Sequence, residues 1–412
     1  MTSTERRNFF GGLWHAAFLA LGMALTQPTT VIASFVADLT GSTVWVGGLS
    51  TLLMVAAVLP QPFIARWIEP RPRKMPYLML AIYLRTASWA VLAWLILTIG
   101  ASHPDLLAWA LVGLLAIFYA GGGLGGIPYT DIIGKVIPPH RRGLFFGGKE
   151  ALAGPLAVGG ALLARHVLAE VDYPDSYALL FGLAAAGLAV ASIGFWIIRE
   201  PPREDAPGKP QPWRSYWIQL IAAGQRMKIL VIVQLLTGFS LMAMPFYVVY
   251  AREELGAPPE AVGWYLLAQV TGGVLADLLW AHLVDRAGSR TMLTVCAVTS
   301  TSVPLLAILL GPQGWLALLP VFFLAGAILS GRSVGFQSAL LELAPAAERP
   351  TFAALNAVLI LPVALLSLLA GLLLKVWPYW ALFGLVAFFV AIGAVWTRRL
   401  PGREETRVEE TL

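Results

Sequence analysis

The sequence predicts an all-α membrane protein with twelve transmembrane helices in two pseudo-symmetric six-helix bundles. Three observations predict it. The 412-residue chain is 58% hydrophobic and 12% charged, against about a quarter charged in an ordinary soluble domain. Its apolar residues fall into runs of about 20, the length that crosses a bilayer. Its Lys and Arg gather in alternate loops, as the positive-inside rule requires.

The apolar runs lie near 9–36, 43–65, 76–100, 105–133, 144–168, 177–198, 226–250, 260–284, 291–311, 315–342, 351–374 and 377–397. Breakers separate them, among them Gly41-Ser42, His103-Pro104, Pro138-Pro139, Pro174, Pro258-Pro259, Gly311-Pro312, Pro345 and Pro378. The first run is too long for the core of a secretion signal and has no clear cleavage site, so it is taken as a retained span. A soluble fold of this composition would have to hide more apolar surface than its interior holds, whereas lipid solvates that surface.

The loop charges give a sidedness. With the N-terminus in the cytoplasm, 22 of the 28 Lys and Arg residues fall in cytoplasmic segments, and only Arg165, Arg252 and Lys375 in external loops. Arg85, Lys149 and Arg332 fall within spans. Both termini are expected inside, in the inner or plasma membrane. The basic residues are dispersed along one membrane edge, so the net charge of +5 implies no nucleic-acid partner. One cysteine, Cys296, and five His without metal-ligand spacing imply no disulfide, metal or cofactor.

The stretch Arg199–Trp213, REPPREDAPGKPQPW, is rich in proline and charge and reads as a semi-extended linker. The expected organisation is a first six-helix half at 1–198, a cytoplasmic linker at 199–225, a second half at 226–397 and a cytoplasmic tail at 398–412. The halves carry a repeat. Pro138, Arg142, Phe145 and Pro155 recur 207 residues later as Pro345, Arg349, Phe352 and Pro362, each set leading from a cytoplasmic loop into a span. Duplicated halves are characteristic of a large class of carriers.

The loop after the eighth span, Ala281-His282-Leu283-Val284-Asp285-Arg286-Ala287-Gly288-Ser289-Arg290, resembles the loop signature of the major facilitator superfamily, roughly Gly-x-Leu-Ala-Asp-Arg-x-Gly-x-Arg. Leu283, Asp285, Arg286, Gly288 and Arg290 match, and Ala281 replaces the opening Gly. Asp285 could cap a helix or pair with a cation, and Gly288 would allow a tight turn. In the first half the copy is degraded, with Arg66 where Asp is expected. The resemblance covers nearly the whole chain as topology and is specific at this one loop. It implies a carrier whose halves rock about a central site lined by spans one, four, seven and ten. The cytoplasmic loops at Asp285, Arg286, Gly288 and Arg290, with Arg142 and Arg349, would then stabilise one closed state.

The fifth span contains Gly154-Pro155-Leu156-Ala157-Val158-Gly159-Gly160, which looks like the antiporter signature of drug exporters with one residue too many. Gly147, Ala151, Pro155 and Gly159 recur at four-residue spacing, a stripe that suits close helix packing. The Arg that proton-coupled exporters carry in the fourth span is absent from Phe118-Tyr119-Ala120-Gly121-Gly122-Gly123.

Ionisable groups at membrane depth are costly and usually face a cavity or a partner. Arg332, within Ser330-Gly331-Arg332-Ser333, is the foremost candidate. It would bind a carboxylate or phosphate on a substrate, or pair structurally with Asp277. Arg85 is expected to have a structural partner, and His15 a packed or interfacial place. Gln27-Pro28-Thr29 interrupts the first span and Met242–Tyr247 the seventh, and paired interruptions point to a transporter's site. The expected substrate residues are therefore Gln27, Tyr129, Gln234, Phe246, Tyr247, Arg332 and Gln337. The candidates for ion coupling are Glu150, Asp131 and Asp277.

The implied function is secondary transport of a small amphipathic or anionic organic solute by alternating access, with proton-coupled export as one form of it. Uptake symport of a sugar or carboxylate is the alternative, and a non-transporting membrane sensor the rival outside the class. No Ser/His/Asp set or phosphate-binding loop points to an enzyme. The expected partners are a small-molecule substrate, the lipid bilayer and, for the coupled forms, protons. The chain is expected to act as a monomer.

Overall fold

The computed structural model describes residues 2–68, 71–201, 227–343 and 349–401. Among them there is no strand. In lipid a backbone that cannot bond to water must bond to itself, and helices do this within one segment. The helices are α1 (Ser3–Leu25), a π turn (Pro28–Ile32), α2 (Ala33–Thr40), α3 (Thr43–Val58), α4 (Gln61–Ile68), α5 (Met75–Ile99), α6 (Pro104–Val136), α7 (Arg142–Glu170) and α8 (Asp175–Ile197). After the linker come α9 (Lys228–Glu253), α10 (Ala261–Leu310), α11 (Leu319–Leu343), α12 (Arg349–Leu359), α13 (Leu361–Leu373) and α14 (Tyr379–Trp396).

Ten helices among the described residues are long and apolar enough to cross a membrane. One of them, Ala261–Gln313, has 53 residues. That is about 80 Å at 1.5 Å per residue, more than two crossings of a hydrocarbon core of about 30 Å. It bends at Gly288, whose φ of 78° and ψ of 169° are not helical. Counting its two arms separately and adding the shorter apolar helix Thr43–Val58 is consistent with twelve crossings. Large apolar side chains point outward all along, for example Trp94 (61% exposed), Trp196 (73%) and Leu278 (75%). Water would penalise that surface and lipid does not. The chain is a multi-pass membrane protein.

By packing, the chain forms two compact units. One comprises Met1–Thr40 and Leu52–Pro210, the other Gly41–Thr51 and Gln211–Leu412. Of the expected linker, 202–225 lies outside the described residues, as do 402–412 of the tail and Pro345 of the repeat.

In the first unit, α1 and α8 are joined along their length. Asn8 exchanges hydrogen bonds with the backbone of Arg199, Trp14 Nε1 donates to Val190 O at 2.8 Å, and His15 Nδ1 donates to Ala191 O at 3.1 Å. His15 is buried and packs against Phe195, the packed place expected for it. The start of α1 is closed by a capping box between Thr2 and Glu5, which satisfies two of the four donors a helix start leaves open. In the second unit the closest pair is α10 with α11. A Cβ on Gly326 would stand 1.8 Å from Gln269 O, and one on Gly272 2.0 Å from Phe323 O, so only glycine permits this approach.

Several expectations about the helices are corrected. The second span breaks, with α3 ending at Val58 and α4 starting at Gln61, because Pro60 has no N–H and disfavours helical geometry at the residue before it. The eleventh span likewise breaks at Ile360, just before Pro362. The seventh does not break at Met242–Tyr247: α9 runs unbroken through Pro245. One proline removes one ladder bond, and with no water to take the freed carbonyl the remaining bonds hold the helix together. The first span opens at Gln27 as expected, into the π turn. The stripe Gly147, Ala151, Pro155, Gly159 is not a packing seam of its unit. A Cβ on Gly147 or Gly159 would meet no atom within 4 Å, whereas one on Gly148 or Gly160, on the other side of α7, would meet Leu13, Leu21 and Ala24 of α1.

Thr51 shows how a side chain enters a ladder. Its hydroxyl donates to Ala364 O at 2.6 Å and accepts from Leu368 N at 3.2 Å, the two groups that an undisturbed helix bonds to each other. Thr51→Val keeps the shape and removes the bridge. It is expected to lower the thermal unfolding midpoint in detergent, at a cost of about 1–2 kcal/mol, while Thr51→Ser keeps the wild-type value. An unchanged midpoint for Thr51→Val would show that the bridge contributes nothing.

Candidate functional site

In the second unit the site is built where α9, α10 and α11 meet. Gly331 of α11 packs on Trp280 and Cys296 of α10. The next residue, about 100° farther round the helix, is Arg332, and it reaches α9. Its Nη1 donates to Thr237 Oγ1 at 2.8 Å, and its guanidinium lies over Phe336, 5.1 Å from the ring centroid. Arg332 is in no ion pair among the described residues. The alternative of a structural pair with Asp277 is therefore not formed, and Asp277 instead accepts from Ser330. Gln234 lies one turn before Thr237 on α9. It is 3% exposed, and its Oε1 has no hydrogen-bond partner.

The other expected substrate residues separate into two groups. Phe246 and Tyr247 are 0% and 1% exposed, and Tyr247 packs on Phe383 of α14. Both lie buried within the unbroken α9. Gln337 is exposed on α11. In the first unit, Gln27 is half-buried at the entry to the π turn, with φ −58° and ψ 120°. Such turns are frequent at functional sites. Tyr129 on α6 is half-buried and packs edge-on against Phe195 at 6.0 Å.

The ion-coupling candidates have different surroundings. Glu150 has a 66% exposed side chain and lies 3.4 Å from Lys149. Asp131 is held by two lysines, Lys74 at 3.2 Å and Lys135 at 2.6 Å. Lys135 also meets Glu200 at 3.0 Å. The carboxylate of Glu200 in turn accepts from the backbone N–H of Lys74 at 2.9 Å and of Met75 at 2.8 Å, which caps the start of α5. This network uses Asp131 to pin helix ends together. Reading the sequence alone misses Lys74, Lys135 and Glu200 as a group. The Asp131–Lys135 spacing of four on one helix is the signal it offers.

The signature loop is less of a loop than its resemblance suggests. Asp285 and Arg286 lie within α10, and only Gly288 leaves the helix, the tight turn expected of it. The helix start at Ser289 is capped by Glu342 of α11, which accepts from both the Ser289 N–H and its hydroxyl. That is a role the sequence offered to Asp285. Arg290 accepts from Thr294 through its carbonyl. Arg142 donates from Nη2 to Gly134 O at 2.8 Å and from Nε to Ile137 O at 3.4 Å, closing the end of α6 as a cation at a helix C-terminus should. Arg349 opens α12 and Arg66 lies within α4.

Residues 230–411 match the family model described as Major Facilitator Superfamily. The sequence of the second half thus resembles this superfamily, and the fold resembles that of solved transporters. The whole fold is shared with a bacterial homologue of the iron transporter ferroportin in an inward-facing state (TM-score 0.70, 13% identity, 97% of this chain and 99% of that one). It is shared as well with a D-xylose-proton symporter (0.67, 15%, 97% and 98%) and the nucleoside transporter NupG (0.67, 13%, 97% and 99%). Uncharacterised proteins of Mycobacterium tuberculosis and Mycobacterium bovis are 29% identical over 195 residues, or 45% of this chain. The chain spans 36% of the length of these curated relatives. The chain thus shares its fold with transporters of chemically unlike solutes.

Replacing Glu200 by Gln leaves the α5 cap and Lys135 without a full carboxylate. The side chain is 3% exposed, and breaking so buried an arrangement costs about 2–4 kcal/mol. A clear fall in the unfolding midpoint is expected in detergent. Equal midpoints for Glu200→Gln and wild type would refute the pinning role of this network.

Proposed function

We propose that the protein is a secondary carrier that moves a small organic anion, or an amphipathic solute with an anionic group, by alternating access. The observation that carries this reading is Arg332, a guanidinium in mid-helix with a hydroxyl and an aromatic face for company. Among the described residues no carboxylate stands within ion-pair distance of it. A structural arginine at membrane depth is ordinarily neutralised by a partner. A planar fork left with unused donors suits a carboxylate or phosphate. Gln234, with its unpaired carbonyl, adds a polar group that orients a ligand one turn away. The guanidinium argues for an anion over a neutral sugar, and the Gln234 carbonyl suits a hydroxyl or N–H elsewhere on the same solute.

Proton coupling is carried by Glu150 and Asp277 more readily than by Asp131, whose carboxylate is taken up by Lys74 and Lys135. The loop charges support a reading with both termini in the cytoplasm and the protein in the inner or plasma membrane. Helix-end contacts at Arg142, Glu200 and Glu342 supply cytoplasmic-side rigidity, and the π turn at Gln27 supplies a hinge in the first span.

Uptake of labelled organic anions into proteoliposomes, with and without a pH gradient, tests the proposal. Arg332→Gln is expected to lower uptake about a hundredfold, equivalent to losing a charge-assisted hydrogen-bonding pair of about 3 kcal/mol. Arg332→Lys recovers only part, because an ammonium cannot offer the fork. Uptake by Arg332→Gln equal to wild type would sink the reading. Flux indifferent to the gradient would remove proton coupling alone.

A further inference from the structure

A second cationic centre lies in the first unit, and its surroundings are more unusual than those of Arg332. Arg85 sits about 15 Å along α5 from its start at Met75, in the middle of a helix of 25 residues. It was expected to have a structural partner. Instead its guanidinium lies over the ring of Phe118 on α6, 4.5 Å from the centroid. Its Nη2 is 3.3 Å from the sulfur of Met23 on α1. Arg85 takes part in no ion pair among the described residues.

The neighbours of Phe118 share a defect. Trp89, one turn beyond Arg85 on α5, packs on Phe118 at 5.0 Å, and Tyr119 lies 5.1 Å from it. The Arg85 Nε, the Trp89 Nε1 and the Tyr119 hydroxyl are all buried, and none has a hydrogen-bond partner. Arg and Trp nitrogens can only donate, and a phenol donates readily. Three buried donors about one ring, one of them charged, thus lack any acceptor. Each orphaned group of this kind is destabilising and calls for a missing acceptor. The one atom that approaches the fork is a thioether sulfur, a weak acceptor on a flexible stem. Met23 thus occupies the place of a stronger acceptor and can swing aside.

We propose that Arg85, Trp89 and Tyr119 form an anion subsite that takes a carboxylate or phosphate oxygen of the transported solute in place of the Met23 sulfur. This rests on the carrier reading above and adds to it a recognition element contributed by the first unit. The solute's anionic group accepts from the guanidinium, the indole and the phenol. Phe118 holds the guanidinium in place through its ring face. Chloride meets the same donors, so the test includes it as a separate arm.

The experiment is a thermal-shift titration of the purified full-length protein with benzoate, inorganic phosphate and chloride, run on wild type, Arg85→Gln, Tyr119→Phe and Arg332→Gln. Benzoate or phosphate should stabilise wild type, chloride should not, and the apparent affinity should fall about tenfold in Arg85→Gln and about threefold in Tyr119→Phe. Tyr119→Phe keeps the ring, so it reports even where Arg85→Gln folds poorly. Unchanged affinity in both variants, or stabilisation by chloride alone, overturns the subsite. Affinity lost in Arg332→Gln but kept in Arg85→Gln and Tyr119→Phe overturns it as well and leaves the carrier reading standing. Absence of a shift with every probe, together with absent flux in proteoliposomes, removes both.

Discussion

A backbone in hydrocarbon has no water to bond, and the rest of this structure follows from that constraint. It forces helices, and it makes every helix end a problem that another side chain must solve. The solutions come from across the fold. Glu200 closes the start of α5, Glu342 closes the helix that begins at Ser289, and Arg142 closes the end of α6. Even Thr51 follows the rule, by taking both partners of a ladder bond it interrupts. In these cases the polar atoms are spent on holding the fold and leave nothing for a ligand. What stands out is where pairing stops.

Among the described residues, two arginines within spans are left without a carboxylate. Arg332 has Thr237 and Phe336, and Arg85 has Phe118 and a sulfur. An aromatic face steadies a cation without neutralising it, and the charge stays available to an incoming anion. Asp131 is the contrasting case: its carboxylate is engaged by both Lys74 and Lys135. The difference separates charges that hold helices together from charges kept for a ligand, and it cannot be made by counting charged residues within spans.

The repeat survives at its aromatic position and diverges at its proline. Phe145 and Phe352 are both 0% exposed. The first sits in a cluster with Phe9, Leu13 and Ile133, the second with Leu230, Trp280 and Leu293, so each half closes one end around an equivalent ring. Pro155 lies inside the continuous α7, whereas Pro362 stands at the start of α13 after a break. Equivalent residues therefore lie within a continuous helix in one half and at a joint in the other. The family loop is likewise retained only in the second half, where Gly288 supplies the turn.

The sequence by itself determined the class of the fold, the apolar runs, the turn at Gly288 and the opening at Gln27. Each of these depends on local chemistry: run length against bilayer thickness, a missing Cβ, a missing N–H. It also singled out Arg332 as a charge too costly to bury without purpose. Only the tertiary structure decided that Tyr247 and Phe246 are core, that α9 passes Pro245 unbroken, and that Asp131 belongs to a network with Glu200. It also decided that Arg85 sits among other unmet donors rather than beside a carboxylate. These outcomes depend on which residue of a distant helix stands within about 3–5 Å, and the order of residues along one helix carries no record of that distance.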